Sequence, residues 1–534
     1  MILQCENGHV TYVQSAMNEF GVDAVFDSKH HSSCFIAAVA FNQTDLVTLL
    51  VDGGYDVNRN DGYYTALHHA VERSNAQMVK ILLNSGAEVN LRNRYNQTVL
   101  HEAVKNGNVE IIMILLNSGA DVNARDKYNM TVLHYMAYDA YEKIFKYRDI
   151  WLPRHRFVWN SDMEMTRILL YFDADVNAQD KWHITPLHLS VCNNDTEMAN
   201  ILLNAGAEVD ARDQYHSTPL LRSASNGYTK MIQILLEAGS EVNTRANDNR
   251  TPLHHSAKNS DAEMTRILLD AGAEVNARAK NNQTPLHHSA YTWRRRGNVE
   301  TMRMLLDAGA EVNAQDKANW TALHFSEEIG ETEKMRVLLN AGAEVDAREK
   351  NGFTPLYRSA CVNRNVETMR ILLDAGAEVD VRVKYGQGGD LTPLLCSAWF
   401  LNTEMAKILL DAGAEVNAHD APDNQTALHL AVTARYRHDD YIGEMIDLLV
   451  KRGAEIEAKD KNGATPLTLA ILGHKVPDIG ELVKHGASVE NAKQCNCPPR
   501  LNDWARLSCA KRFENAMRHV NVGREIAWGM NNKE

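Results

Sequence analysis

The sequence predicts an all-α solenoid of stacked helix-turn-helix units, and three observations carry that prediction. A phrase of about 33 residues recurs along the chain. Each copy opens on a threonine placed to cap a helix and closes on a glycine placed to end one. Between the two, apolar residues fall at helical spacing in two short runs, and a helix pair that short needs a neighbour to cover its apolar side. The clearest copy runs from Ala246 to Arg278 as ANDNRTPLHHSAKNSDAEMTRILLDAGAEVNAR. Thr251 is its cap, and Pro252 takes the first helical position, where a missing N–H costs nothing. Leu253, His254 and Ala257 follow at helical spacing, Asn259-Ser260-Asp261 interrupts, and Met264, Ile267, Leu268 and Leu269 form the second helix. Gly272 supplies the left-handed residue, and Ala273 to Ala277 lead into a projecting loop.

The six-residue core returns as TALHHA (Thr65 to Ala70), TVLHEA (Thr98 to Ala103), TPLHLS (Thr185 to Ser190), TPLHHS (Thr251 to Ser256 and Thr284 to Ser289) and TALHLA (Thr426 to Ala431). Divergent copies start at Thr218, Thr354, Thr392 and Thr465, and matching closing glycines stand at Gly86, Gly119, Gly206, Gly239, Gly309, Gly342, Gly376, Gly413, Gly453 and Gly486. Period and core together resemble the ankyrin repeat, over about nine-tenths of the chain. The resemblance implies an ankyrin-repeat solenoid of about thirteen full repeats over residues 27–493. Residues 1–26 precede them as a half repeat or cap, and 494–534 follow.

A solenoid grows by adding neighbours, so 534 residues need only one long domain, a rod of about 110 to 130 Å at the usual helix spacing. The net charge of -13 argues against a general nucleic-acid binder. Eight scattered cysteines lack the dense framework of a small secreted domain and point to a reducing compartment. Cys495, Cys497 and Cys509 lack the paired spacing of a structural zinc site. No stretch has the length and apolarity of a membrane span, and the start MILQCENGHV does not read as a signal peptide. The expectation is a cytoplasmic protein with no membrane partner and no cofactor.

The first full repeat replaces the core with SSCFIAA (Ser32 to Ala38), as terminal repeats do. Inserts near 138–161, 292–296 and 434–441 fall between the two helices of their repeats and mix aromatic with basic residues. On one reading Trp151, Arg154, Arg156, Trp293, Arg294, Arg295 and Arg296 face a partner; on the other, favoured because loops absorb insertions cheaply, the aromatics fold back. Asp173 stands where other repeats carry glycine, a costlier left-handed residue.

His68, His101, His134, His188, His254, His287, His324 and His429 share one position in the phrase. One per repeat puts them too far apart to share a metal ion, so they are expected to tie neighbouring loops together by hydrogen bonds. Serines and acids recur only because the phrase is copied, and no nucleophile, base and orienter converge, so the chain reads as non-enzymatic.

The resemblance places partner binding on the loop tips and the concave face. In the tips the third loop position reads Tyr95, Tyr128, Trp182 and Tyr215 in successive repeats, with Tyr64 before the row and Trp320 and Phe353 in later tips. Exposed tyrosine and tryptophan anchor protein interfaces, although rings stacked on one another to stiffen the row would look the same in sequence. The loop asparagines Asn90, Asn123, Asn276 and Asn313 resemble substrates of an asparaginyl hydroxylase, and their plainer role is the turn itself.

Beyond Lys493, Leu501, Trp504, Ala505, Arg506 and Cys509 resemble the elongin-binding box of a SOCS box. That resemblance implies a substrate receptor of an elongin–cullin ubiquitin ligase. Trp504 and Cys509 depart from the usual leucine and isoleucine or valine, and no Leu-Pro-rich second box follows. The favoured alternative is a helical lid on the last repeat.

Overall fold

The computed structural model describes residues 10–11, 14–15, 32–137, 163–291, 299–384, 390–434, 439–473 and 476–493. The elongin-box residues Leu501, Trp504, Ala505, Arg506 and Cys509, the inserts near 138–161 and 292–296, residues 435–438 of the insert near 434–441 and nearly all of 1–26 lie outside them. Two compact units divide the chain, residues 1–256 with 263–274 and residues 257–262 with 275–534.

In the first unit the helix pairs are Ser32–Ala40 with Thr44–Asp52, Ala66–Glu72 with Ala76–Asn84, Val99–Asn106 with Val109–Asn117, Val132–Met136 with Met163–Tyr171, Pro186–Asn193 with Thr196–Asn204, and Pro219–Asn226 with Thr229–Glu237. Pro252–Asn259 and Ala262–Asp270 contribute residues to both units. The second unit continues with Pro285–Ala290 and Glu300–Asp307, Ala322–Ile329 and Thr332–Asn340, Pro355–Cys361 and Val366–Asp374, Pro393–Trp399 and Thr403–Asp411, Ala427–Thr433 and Asp439–Lys451, Pro466–Leu472 and Val476–Lys484, then Val489–Lys493. Among its described residues a short antiparallel pair, Val383–Lys384 on Asp390–Leu391, and an isolated bridge between His419 and Thr426 add a little extended structure.

Within each unit, first helices pack on first helices of the next repeat and second on second. This buries Leu100, Ala103, Ile111, Ile112 and Leu115 completely. No helix pair could bury those residues alone, which is why the phrase must repeat.

The terminators work as their residue types dictate. Gly86, Gly119 and Gly206 follow their second helices at φ +88°, +81° and +88°, where a Cβ would crowd the next carbonyl. Asp173 holds the same place at φ 62° with a side chain that pays the left-handed penalty. Asp173→Gly is expected to raise stability by about 1 kcal/mol, read as a higher urea midpoint at unchanged slope.

Loop asparagines then tie each helix end to the preceding repeat. The Asn90 amide donates to the Gly119 carbonyl (3.0 Å) while its oxygen accepts the Asp121 N–H (2.8 Å). Asn177 repeats this with Gly206 and Glu208, and in the second unit Asn276 does so with Gly309 and Glu311. Asn123 makes the same bonds to Asp173 and Asp175 across the insert near 138–161, so the added residues leave the register between flanking repeats intact. The turn role expected of these asparagines is thus also a link between repeats.

One expectation changes. Cys361 and Cys396, read as two of several scattered cysteines, are joined as a disulfide between the first helices of consecutive repeats, with Cα atoms 5.4 Å apart and both residues buried. Contacts about one repeat apart in sequence bring such pairs together, and spacing alone does not show them.

Candidate functional site

The signature histidines are spent on structure. Thr98 sits just before the helix Val99–Asn106, and its hydroxyl and its backbone N–H both point to Nδ1 of His101, at 3.0 and 3.2 Å. This is a capping box in which histidine stands where Glu or Gln is usual. With Nδ1 accepting, the ring proton lies on Nε2, which donates to the Met130 carbonyl of the next repeat (3.3 Å). His68, His134 and His188 reach Gln97, Ile184 and Ser217 in the same way, and in the second unit His287 and His429 reach Trp320 and Ala464. Burial lowers these imidazoles, to about 3 for His101 and about 4 for His68, His134, His188 and His324, so they are neutral near pH ~7. The expected tie between loops is present at the six that reach a carbonyl, His324 Nε2 making no such bond, and the Nδ1 cap is a second role that the TPLH core contains but that the sequence reading missed.

The Tyr95 tip is built on Asn93, whose Oδ1 accepts the N–H groups of Tyr95 and Gln97, and the next three tips on an aspartate in the same place. Asp126 Oδ1 accepts the backbone N–H groups of Tyr128 (2.7 Å) and Met130 (2.9 Å). Asp180 does the same for Trp182 and Ile184, and Asp213 for Tyr215 and Ser217. The next residue after each ring, Asn129, His183 or His216, turns left-handed at φ 61°, 60° and 56°. That turn sets the preceding ring at the tip.

Adjacent tips are joined through their backbones. The Lys127 N–H donates to the Tyr95 carbonyl, Lys181 to Tyr128, Gln214 to Trp182 and Asn247 to Tyr215. Above these bonds runs an alternation of rings and cations. Arg94 lies over Tyr63 at 4.3 Å and Tyr95 at 4.5 Å, Lys127 lies 4.8 Å from both Tyr95 and Tyr128, and Tyr128 stacks on Trp182 at 6.0 Å. Such contacts each contribute about 0.5 to 1 kcal/mol at exposed sites, enough to fix ring orientation. Tyr63 and Tyr215 at the two ends remain 52% and 50% exposed.

The structure therefore brings Tyr95, Tyr128, Trp182 and Tyr215 together in one row of the first unit and adds Tyr63, Arg94 and Lys127 to it. It sets Tyr64, Trp320 and Phe353 apart. Each of the three directly precedes a capping threonine and folds back on its own first helix: Tyr64 against His68 and His69, Trp320 against His324 and Phe325, Phe353 on Tyr357. Met130 and Ile184 occupy that same position, both buried, so the packing role was visible in the phrase. The cations could have been found too, because Arg94, Lys127 and Lys181 stand one residue before the ring in three tips.

A second polar cluster lies in the second unit. Arg358, almost buried, faces Glu327 and Glu349 at 3.5 Å, pairs closely with Glu328, and covers the Trp320 ring at 4.3 Å. Burial pushes the Glu327 carboxyl up to about 8 against the pull of Asn363, whose amide donates to both of its oxygens, and of Arg358. The arrangement offers no open coordination or nucleophile. Among the described residues no group of three histidine, cysteine or acidic side chains could hold a metal ion, and no helix is long and apolar enough to cross a membrane.

Comparison with known families decides the identity. The family described as Ankyrin repeats (3 copies) matches residues 1–93, 67–147, 155–246, 243–316, 293–383 and 394–493, and Ankyrin repeats (many copies) matches 357–410. This chain belongs to the ankyrin-repeat family. An ankyrin repeat protein of Fowlpox virus (strain NVSL), FPV018, is 39% identical over 64 residues, 12% of this chain and 9% of that protein. The ankyrin repeat is a protein–protein interaction module.

Proposed function

We propose that this ankyrin-repeat protein is a non-enzymatic scaffold that binds partner proteins along the loop tips of its first unit, through Tyr95, Tyr128, Trp182 and Tyr215. The observation that carries the reading is the pre-ordered row: rings fixed by stacking, by interleaved cations and by backbone bonds between tips lose little freedom on binding. The rings were open to two roles in sequence, interface anchors or mutual stiffeners, and stacking serves the first by accomplishing the second.

The test is quantitative proximity labelling in the native cell with the wild type and Tyr128→Ala/Trp182→Ala. Loss of a defined set of labelled proteins, with helix content nearly unchanged, is the expected result. A label set indifferent to both rings would remove the proposal. Trp182 also packs on the buried Ala137, Ile184 and Leu189, so the urea midpoint is expected to fall, and labelling is compared under conditions where both proteins are fully folded.

A further inference from the structure

We propose that the first-unit tip row takes an extended, acidic polypeptide segment, its carboxylates seated on Arg94, Lys127 and Lys181 in successive tips. The inference rests on the binding surface proposed above and names the chemistry of its ligand.

Charge on the tips is the first ground. The chain is acidic overall at -13, yet the exposed charges of tips 92–97, 125–130, 179–184 and 212–217 are Arg92, Arg94, Arg125, Lys127, Lys181 and Arg212. The aspartates of those tips, Asp126, Asp180 and Asp213, are buried beneath them with Oδ1 bound to backbone N–H groups. Arg92 and Arg125 are turned along the row, donating to the Arg125 and Gln179 carbonyls. Arg94 and Lys127 instead lie on ring faces, with Arg94 also donating one N–H to the Tyr95 hydroxyl, which keeps each cation in place and leaves its remaining N–H groups for an anion.

Ring occupancy is the second ground, and it favours peptide over nucleic acid. A single strand binds by stacking bases on open aromatic faces. Here Tyr95 has Arg94 and Lys127 on it, and Tyr128 has Lys127 and Trp182. The centre of the row offers edges and cations. Spacing is the third ground: tips one repeat apart are about 10 Å apart, close to three residues of extended chain at about 3.3 Å each. A carboxylate at every third residue meets one cation per tip.

The probe is a fluorescein-labelled peptide of about 12 residues with glutamate at every third position and serine and threonine between, titrated by anisotropy against the full chain. Binding is expected, weakening as salt rises through about 0.3 M. Arg94→Glu/Lys127→Glu/Lys181→Glu should weaken it at least about tenfold, Arg94→Gln/Lys127→Gln less, and Lys317→Glu/Lys350→Glu, which reverses tip cations of the second unit, not at all. The proposal is overturned by no binding, by equal binding of a peptide with the glutamates blocked at one end, by equal loss in the Lys317/Lys350 variant, or by oligothymidylate binding as tightly. Absent peptide binding alongside ring-dependent partner labelling removes the acidic ligand and leaves the surface; labelling indifferent to the rings removes the surface itself.

Discussion

Lowering the pH from about 7 to about 5 is expected to destabilise the first unit more than the second. The cause is the row of capping histidines. In the fold, Nδ1 accepts two hydrogen bonds from a threonine, so protonating it replaces an attraction with a clash of donors. Burial holds the folded value below the unfolded one of 6.5, so stability is complete above that value and lost as pH falls from it toward the folded value. An imidazole held near 4 costs about 2 kcal/mol by pH ~5. His68, His101, His134 and His188 together cost about 8 kcal/mol in the first unit.

Buried acids act in the opposite direction. Asp180, pushed up to about 6 by burial, returns about 1 kcal/mol over the same interval, because the fold favours its neutral form. Glu327, near 8, returns between about 2 and 3 kcal/mol, and that offsets His324 within the second unit. His287 and His429 add further loss there, both lowered by burial. The net for the first unit is still a loss of about 7 kcal/mol, as large as the whole stability of many domains. Hydrogen exchange at about pH 5 should show protection lost in peptides spanning 66–117 and 186–237 before 322–374. Replacing the four first-unit histidines by glutamine, which can serve the same capping box, should flatten the pH dependence. A uniform loss across both units would show that the histidines are not its source.

Arg358→Met carries the other large effect, a loss of about 3 to 5 kcal/mol in the second unit. Arg358 faces Glu327, Glu328 and Glu349, and two of those carboxylates are buried with it. Removing it leaves Glu349 without its cation and takes the cover from the Trp320 ring. Adding Glu327→Gln and Glu349→Gln should restore much of the loss, because a buried ion cluster replaced as a whole is close to neutral. Urea titration followed by tryptophan fluorescence reads both steps. A loss under about 1 kcal/mol would mean that water reaches these carboxylates.

The tip row shows how much of the candidate site sequence alone could reveal. Tyr95, Tyr128, Trp182 and Tyr215 are legible because they share one place in the phrase. Tyr63 and Tyr64 are not separable that way, since their loop runs one residue short of the others before its threonine and one side chain must go out while the other goes in. Only the neighbouring tip, with Arg94 over Tyr63, shows which. Arg94 and Lys127 are legible as cations one residue before a ring, but that each lies between two rings is decided only by the neighbouring tip.

What the sequence determined by itself is the repeat and its boundaries. Caps, the first-position proline, helical spacing and left-handed glycines act over four residues or fewer, so a reader of the chain meets every group the rule requires. What the tertiary structure decided is everything spanning about one repeat: the second bond of each histidine, the asparagine links, the Cys361–Cys396 disulfide, the carboxylates around Arg358 and the ordering of rings and cations on the tips. Those contacts depend on how one copy sits on the next. Each copy carries only half of every such pair, and stacking supplies the other half.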